Sequence, residues 1–206
     1  MASVDLRAFV RANLPDPPVR VLEIGAGGGS LARALRAAGY EVTAIDPRSD
    51  NDDVRPIALV DLDEPAGSYA AAVAIVSLHH VDPLEESCRR LAKLVAPGGT
   101  LVIDEFDVAA LDVTATAWWL EQRAALGEAP PKTAEELVAE HREHLHPLAR
   151  ILAALEPDFE LGPAVRGAWL HRWNLSDALR EVEEDAIARG RLPATGARLV
   201  GRRHDL

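Results

Sequence analysis

The chain is short of cysteine, of positive charge and of long apolar runs. Its single cysteine, Cys88, excludes an internal disulfide framework and fits a reducing, cytoplasmic setting. No stretch of about 18 apolar residues occurs, so no transmembrane helix and no membrane partner are expected. The N-terminal MASVDLRAFVRANLP mixes acids with arginines and lacks an apolar centre, so no signal peptide is expected. No internal repeat is visible. Basic residues number 22 against 33 acidic ones, a formal net charge of −11. Such a chain repels phosphate backbones, which argues against a nucleic-acid partner and leaves small molecules as the natural ligands. What is present is ordinary for one globular domain with a full core: 206 residues, 48% hydrophobic and 27% charged.

Periodicity divides the chain. Asp5–Asn13 reads as a short helix stopped by the PDPP turn. Val19–Ile24 reads as a buried strand, Ser30–Ala38 as a helix with Leu31, Ala34, Leu35 and Ala38 on one face, and Glu41–Ile45 as a second strand. Ile57–Val60 is a weak third strand, Ala70–Ser77 a fourth, Pro83–Val95 an amphipathic helix and Thr100–Ile103 a fifth strand. Strands alternating with helices or loops imply a parallel sheet with right-handed crossovers. Beyond it, Ala115–Leu126 and Thr133–Leu152 read as helices separated by Gly127 and Pro130-Pro131. A strand lies somewhere in Phe159–Trp173, a helix over Ser176–Arg189 with Ser176 as its cap, and a last strand over Ala197–Arg202. The division is a single domain, with a cofactor half at 19–106, a helical insertion or lid at 107–152 and a strand-helix-strand end at 158–203.

The chemistry is concentrated in VLEIGAGGGS, Val21–Ser30. A strand before the glycines and an apolar-faced helix after them make a ligand cradle, not a linker. No Gly-Lys-Ser/Thr follows, which excludes the Walker phosphate loop. The dinucleotide pattern G-x-G-x-x-G/A is met by Gly25 and Gly27 but fails at Ser30. Glu23, two residues before the first glycine, opposes a nearby pyrophosphate and suits a cationic ligand.

The pattern Glu23-x-Gly25-x-Gly27-x-Gly29 resembles motif I of class I S-adenosylmethionine-dependent methyltransferases. The resemblance runs in register from about Val19 to Glu105: Asp46 stands 21 residues after Gly25, Asp61-Leu62 follows the third strand, SLHHV (77–81) follows the fourth, and APGGTLVIDEF (96–106) enters the fifth. It implies a Rossmann-like α/β fold, a seven-stranded, mostly parallel sheet with helices on both faces and an antiparallel last strand. It implies S-adenosyl-L-methionine as cofactor, held by Glu23, Gly25, Ala26, Gly27, Gly29, Asp46, Pro47, Asp61, Leu62, Ser77 and Leu78. Asp46 is then the acceptor for the ribose hydroxyls, and Asp61 lies near the adenine amino group. One departure is Tyr69-Ala70, where many relatives carry Phe-Asp. Ser77-Leu78-His79-His80 also differs from the Asn-Pro-Pro-Tyr type segment of nucleic-acid amino-methyltransferases.

The activity implied is methyl transfer to an oxygen or nitrogen of a small-molecule acceptor, an in-line displacement served by proximity and a base. His79 and His80, at the carboxyl edge of the sheet, are candidate bases, as are His141 and His144 of HREHLH if the lid faces the acceptor. Asp104, Glu105 and Asp107 follow the fifth strand and are candidates for a divalent cation or a proton, with a solvated strand end favoured. A transition-metal site at His141, His144 and His146 lacks a cysteine, and no metal is assigned. All four tryptophans, Trp118, Trp119, Trp169 and Trp173, lie outside the cofactor half and suit an aromatic acceptor. Arg166 and Arg172 are candidates for orienting an acceptor carboxylate. Two other readings remain: a cofactor-binding regulatory protein, and a non-methylating enzyme, such as a cyclase, on the same fold.

Overall fold

The structure, a computed structural model, describes residues 5–128 and 131–205. Residues 1–4, where the N-terminal segment discussed above begins, and Pro130 lie outside them. The strands are β1 Arg20–Ile24, β2 Glu41–Ile45, β3 Tyr69–Ile75, β4 Val95–Phe106, β5 Phe159–Leu161, β6 Val165–Gly167 and β7 Gly196–Arg203. The helices are α1 Leu6–Asn13, α2 Ser30–Ala37, α3 Leu84–Leu94, α4 Val113–Ala125, α5 Ala134–His144, α6 Leu148–Leu155 and α7 Arg180–Ala188.

The sheet runs β2-β1-β3-β4-β7-β5, with β6 also on the outer edge of β7. β2, β1, β3 and β4 are parallel, and β7 is antiparallel to β4. Parallel strands need both faces covered, and alternation supplies two apolar faces. Leu22, Ile24, Ala72, Ala74, Leu101 and Ile103 pack on α3 and α6. Val21, Ala71, Val73 and Val102 pack on α1 and α2. The strand order reverses between β1 and β3, and in open α/β sheets ligands bind at the carboxyl edge of that switch point.

The Rossmann-like α/β fold stands, but two elements differ from expectation. Ile57–Val60 is not a strand. Pro56 has no N–H to give a ladder, pairing stops at a single Ile45–Arg55 bridge, and the chain closes into a 3-10 turn at Leu59–Asp61. The seventh strand comes instead from Phe159–Trp173, which holds two short strands, β5 and β6, end to end along β7. The helix expected over Thr133–Leu152 is two. Pro147 cannot donate and drives its neighbour out of helical backbone, so α5 ends at His144 with Leu145 extended and α6 restarts at Leu148. Thr133 and Glu136 form a capping box that fixes the start of α5. α6 buries Ile151 and Leu155 in the main core, whereas α4 and α5 build a separate cluster with Phe106, Leu111, Val138, Trp169 and Leu170. Ser176 caps one 3-10 turn, Asp177–Leu179, which leads into α7.

The turn after β1 touches the turn after β3. Gly25 has φ +68°, and a Cβ there would lie 2.3 Å from the Cβ of Ser77. Only glycine permits both the backbone and the approach. Gly25→Ala is expected to lower unfolding free energy by roughly 2–5 kcal/mol through left-handed strain and overpacking. Urea unfolding of the two proteins checks this, and a loss under ~1 kcal/mol contradicts it.

Candidate functional site

Three cavities meet at the carboxyl edge. The first, of about 220 Å³, is lined by Gly25 after β1, by Asp46, Pro47 and Arg48 after β2, by Ile57–Leu59, and by Val76, Ser77 and His80 after β3. The Asp46 carboxylate braces the glycine turn, accepting from the Gly27 N–H at 2.9 Å and the Arg48 N–H at 2.9 Å. A carboxylate has about four acceptor sites, so Asp46 retains capacity for hydroxyl donors. Ser77 Oγ is buried without a partner in the same wall.

Glu23 lies under the N-terminal turn of α2. Its carboxyl is buried and Oε2 has no hydrogen-bond partner. Burial pushes its pKa up to about 7, against the opposing pull of Arg36 and the Ala32 backbone. It lines a second cavity, of about 420 Å³, together with Gly25, Ala26 and Gly28. A buried carboxyl with one unpartnered oxygen beside a glycine turn can take a cation. Gly27 and Gly29 shape the turn by positive φ. Leu78 is buried in the main core and acts through its backbone. Asp61 and Leu62 are not among the residues lining these cavities: the 3-10 turn at Leu59–Asp61 sends Asp61 to solvent and Leu62 into the core, and Ile57–Leu59 form the wall instead.

The third cavity, of about 470 Å³, opens beside the first and shares Val76 and His80 with it. Its floor is Phe106, Trp169 and Trp173, and its roof is Glu140, His141, His144 and Leu145 from the end of α5. Phe106 stacks on Trp169 at 4.3 Å, Trp119 stacks on Trp173 at 4.2 Å, and His141 stands edge-on to Trp173. These contacts fix a flat aromatic surface. Trp118 packs against the α4/α5 cluster outside it.

One buried carboxylate sets the imidazole geometry. Glu105, fully buried at the end of β4, accepts from Ser77 N–H at 3.1 Å, Leu78 N–H at 2.8 Å, Phe106 N–H at 2.8 Å and His79 Nδ1 at 2.5 Å. A carboxylate only accepts here, so Nδ1 carries a proton, and in the neutral imidazole the His79 lone pair is on Nε2. His141 and His144 give Nδ1–H to the carbonyls of Leu137 and Glu140, which also leaves Nε2 as the lone-pair nitrogen. His80 differs: partial burial first, and then Coulombic repulsion from Arg48 and from the neighbouring imidazoles when they are protonated, hold it down to about 4, a weak base. His146 is structural, its backbone N–H on the His79 carbonyl and its ring on the Val81 carbonyl.

The acids after β4 have internal partners. Asp104 is clamped by Arg172 and Arg198, and Asp107 takes Arg166 and the N–H groups of Ala109 and Leu148. The Cys88 thiol is buried and pushed up to about 12, inert core. Sequence reasoning missed Val76, whose φ of 51° is rare for a β-branched residue and which walls two cavities. It also missed the Glu105–His79 pairing, since the two residues are 26 apart in sequence.

A family profile described as "Methyltransferase domain" matches residues 2–155. The chain belongs to this methyltransferase family. The "Ubiquinone biosynthesis O-methyltransferase" of Xanthomonas campestris pv. campestris (strain B100) is 37% identical over 111 residues, 46% of each chain. The chain thus matches about half the length of these curated relatives. An S-adenosylmethionine-dependent methyltransferase structure from Methanosarcina mazei matches over 98% of this chain and 99% of its own, with TM-score 0.63 and 16% identity. The [4+2]-cyclase SpnF also matches, over 97% of this chain and 80% of its own, with TM-score 0.60 and 18% identity. At such identities the structures speak for the fold alone, and that fold serves both chemistries.

S-adenosyl-L-methionine is the cofactor this family implies, and the residues fit it. Glu23 offers an unpartnered Oε2 to a cation, Asp46 has acceptor capacity for hydroxyls, and Gly27 and Gly28 leave the backbone open. Glu23 also makes stability depend on pH. Its folded pKa of about 7 exceeds the ordinary 4.5, so the folded state binds the proton more tightly. Its contribution is whole below pH 4.5 and is lost as pH rises through 7, by up to ~3 kcal/mol. Glu23→Gln is expected to remove that loss, so urea unfolding at pH 5 and pH 8 should show the variant gaining on the native chain at pH 8. An equal difference at both pH values contradicts it.

Proposed function

We propose that the chain transfers a methyl group from S-adenosyl-L-methionine to an oxygen or nitrogen of a small aromatic acceptor, with His79 as the base. The observation that carries this reading is the shared wall of Val76 and His80, which sets the Asp46 cavity directly against the aromatic cavity. The cofactor supplies a methyl carbon already activated by its sulfonium. The protein's work is then to align, to exclude water and to take one proton.

Each task has its residues. Gly25, Ala26, Asp46, Pro47 and Ser77 hold the cofactor, Glu23 faces its charge, and Gly27, Gly29 and the Leu78 backbone keep the cradle in shape. Phe106, Trp169 and Trp173 hold a planar acceptor by its faces. His79 lines the acceptor cavity, and Glu105 keeps the proton on Nδ1, so Nε2 receives the proton of an acceptor hydroxyl or amine. His141 and His144 have the same tautomer but only backbone carbonyls behind them, which stabilise an imidazolium less than a buried carboxylate does. They close the cavity roof. The relatives' name, with its O-methyltransferase and ubiquinone biosynthesis, favours an oxygen acceptor on a ring.

His79→Gln keeps a polar partner for Glu105 and removes the base. Titration calorimetry should give the same Kd for S-adenosyl-L-methionine in both proteins, while methyl transfer to a panel of catechols and hydroxyarenes falls about 10²–10⁴-fold in the variant. A native chain that binds no S-adenosyl-L-methionine refutes the methyltransferase reading. A variant within threefold of the native rate refutes His79 as base.

A further inference from the structure

The turn Leu170–Arg172 repeats the construction of the turn Leu78–His80. In each, a fully buried glutamate accepts the N–H groups of the residues entering a 3-10 turn and the Nδ1–H of its histidine. Glu105 does this for Ser77, Leu78 and His79. Glu183 does it for Trp169 at 2.8 Å, Leu170 at 2.9 Å, the His171 N–H at 2.8 Å and His171 Nδ1 at 2.8 Å. Burial alone would raise the Glu183 pKa, but the His171 ring and the three backbone N–H groups hold it below the usual carboxylate range. In the first turn the residue after the histidine, His80, walls the Asp46 cavity and the aromatic cavity. In the second the residue after the histidine, Arg172, walls the aromatic cavity and the Glu23 cavity.

Arg172 is not alone. Arg7 from α1, Arg180 from α7 and Arg198 from β7 line the Glu23 cavity with it, in a chain whose net charge is −11. Each is tethered from behind. Arg7 reaches Ser30 Oγ, and Arg180 Nε rests 3.4 Å from His171 Nε2, a neutral acceptor. Arg172 and Arg198 share the single buried carboxylate of Asp104, each at 2.6 Å. Asp104 holds both guanidiniums, and their charge, in a half-buried place. The acids on that cavity are Glu23, with its raised pKa, and Asp5 and Asp177, both exposed. Exposed acids are screened by water and offset little of that charge.

Resting on the methyltransferase reading, we infer that the acceptor carries a carboxylate, bound by Arg172 where the two cavities meet, while its ring lies on Phe106, Trp169 and Trp173. Arg172 spends one terminal nitrogen, Nη1, on Asp104, which fixes the plane of the guanidinium and leaves further N–H donors in the fork geometry a carboxylate matches. A single fork among aromatic rings suits a planar monoanion better than a phosphate ester, whose three oxygens need more donors. The carboxylate end thus selects the acceptor, and His79 acts at its other end.

The test uses the native chain saturated with S-adenosylhomocysteine, so that the cofactor's own carboxylate is already placed, and tryptophan fluorescence as the readout. The probes are 3,4-dihydroxybenzoate, its carboxamide and catechol phosphate. The benzoate is expected to bind about tenfold or more tighter than the carboxamide, and tighter than the phosphate. Arg172→Gln should reduce the preference to under about threefold. Arg191→Gln, whose arginine pairs with Asp185 far from the cavities, should leave it unchanged. Equal binding of benzoate and carboxamide, no binding of the benzoate, tighter binding of the phosphate, a preference seen only without S-adenosylhomocysteine, or a preference that survives Arg172→Gln overturns the inference. The native comparison decides the matter if Arg172→Gln does not fold. Calorimetry of S-adenosylhomocysteine on the same sample separates the two readings. If it binds and the preference is absent, only the carboxylate inference fails; if it does not bind, both fall.

Discussion

The carboxylate of Glu105 is the point on which the site turns. It is wholly inside the protein, yet it accepts from three backbone N–H groups and one imidazole, so its burial is compensated by charge-assisted hydrogen bonds. Those bonds tie the end of β4 to the turn after β3. They hold Ser77 against Gly25, and so the wall of the Asp46 cavity. They also fix which nitrogen of His79 has its lone pair free. The tie between β4 and the turn after β3, the wall of the Asp46 cavity and the orientation of the His79 ring therefore depend on one side chain, and the low dielectric that makes such a network strong makes a partly satisfied one costly.

The two glutamate-capped turns divide labour around a shared aromatic floor. The first stands between the Asp46 cavity and the acceptor cavity, and presents imidazoles. The second stands between the Glu23 cavity and the acceptor cavity, and presents a guanidinium. A chain with net charge −11 nevertheless gathers four arginines over the glycine turn. In the proposed function a cationic cofactor meets Glu23 there, and the arginines reach the same cavity from other elements. The strain at Val76 sits on the wall between the two cavities, and strained backbone clusters at ligand sites.

The cofactor half was legible because its signals are local. Glu23, the glycines, Asp46 and SLHH follow one another at the ends of successive strands, so spacing along the chain reports position along the sheet edge. The run Ile57–Val60 misled because β-branched residues read as strand while Pro56 and the nearby turn deny it a ladder. Thr133–Leu152 kept helical periodicity across Pro147, and the break there separates the cavity roof from the core helix α6. The pairings that organise the acceptor side were not legible, because they join distant residues: Glu105 to His79, Glu183 to His171, Asp104 to Arg172 and Arg198. The recurrence of a Leu-His pair at 78–79 and 170–171 was a weak hint, since 145–146 has it too without a capping glutamate.

The most direct test is the tautomer of His79. Nitrogen NMR of histidine-labelled protein holding S-adenosylhomocysteine, with the His79 signals assigned by their loss in His79→Gln, reads each ring nitrogen separately. Glu105 requires a protonated Nδ1, and the proposed base role requires a lone pair on Nε2. A proton on Nε2 in place of Nδ1 would contradict the account, because the nitrogen proposed to receive the acceptor's proton would then have no lone pair.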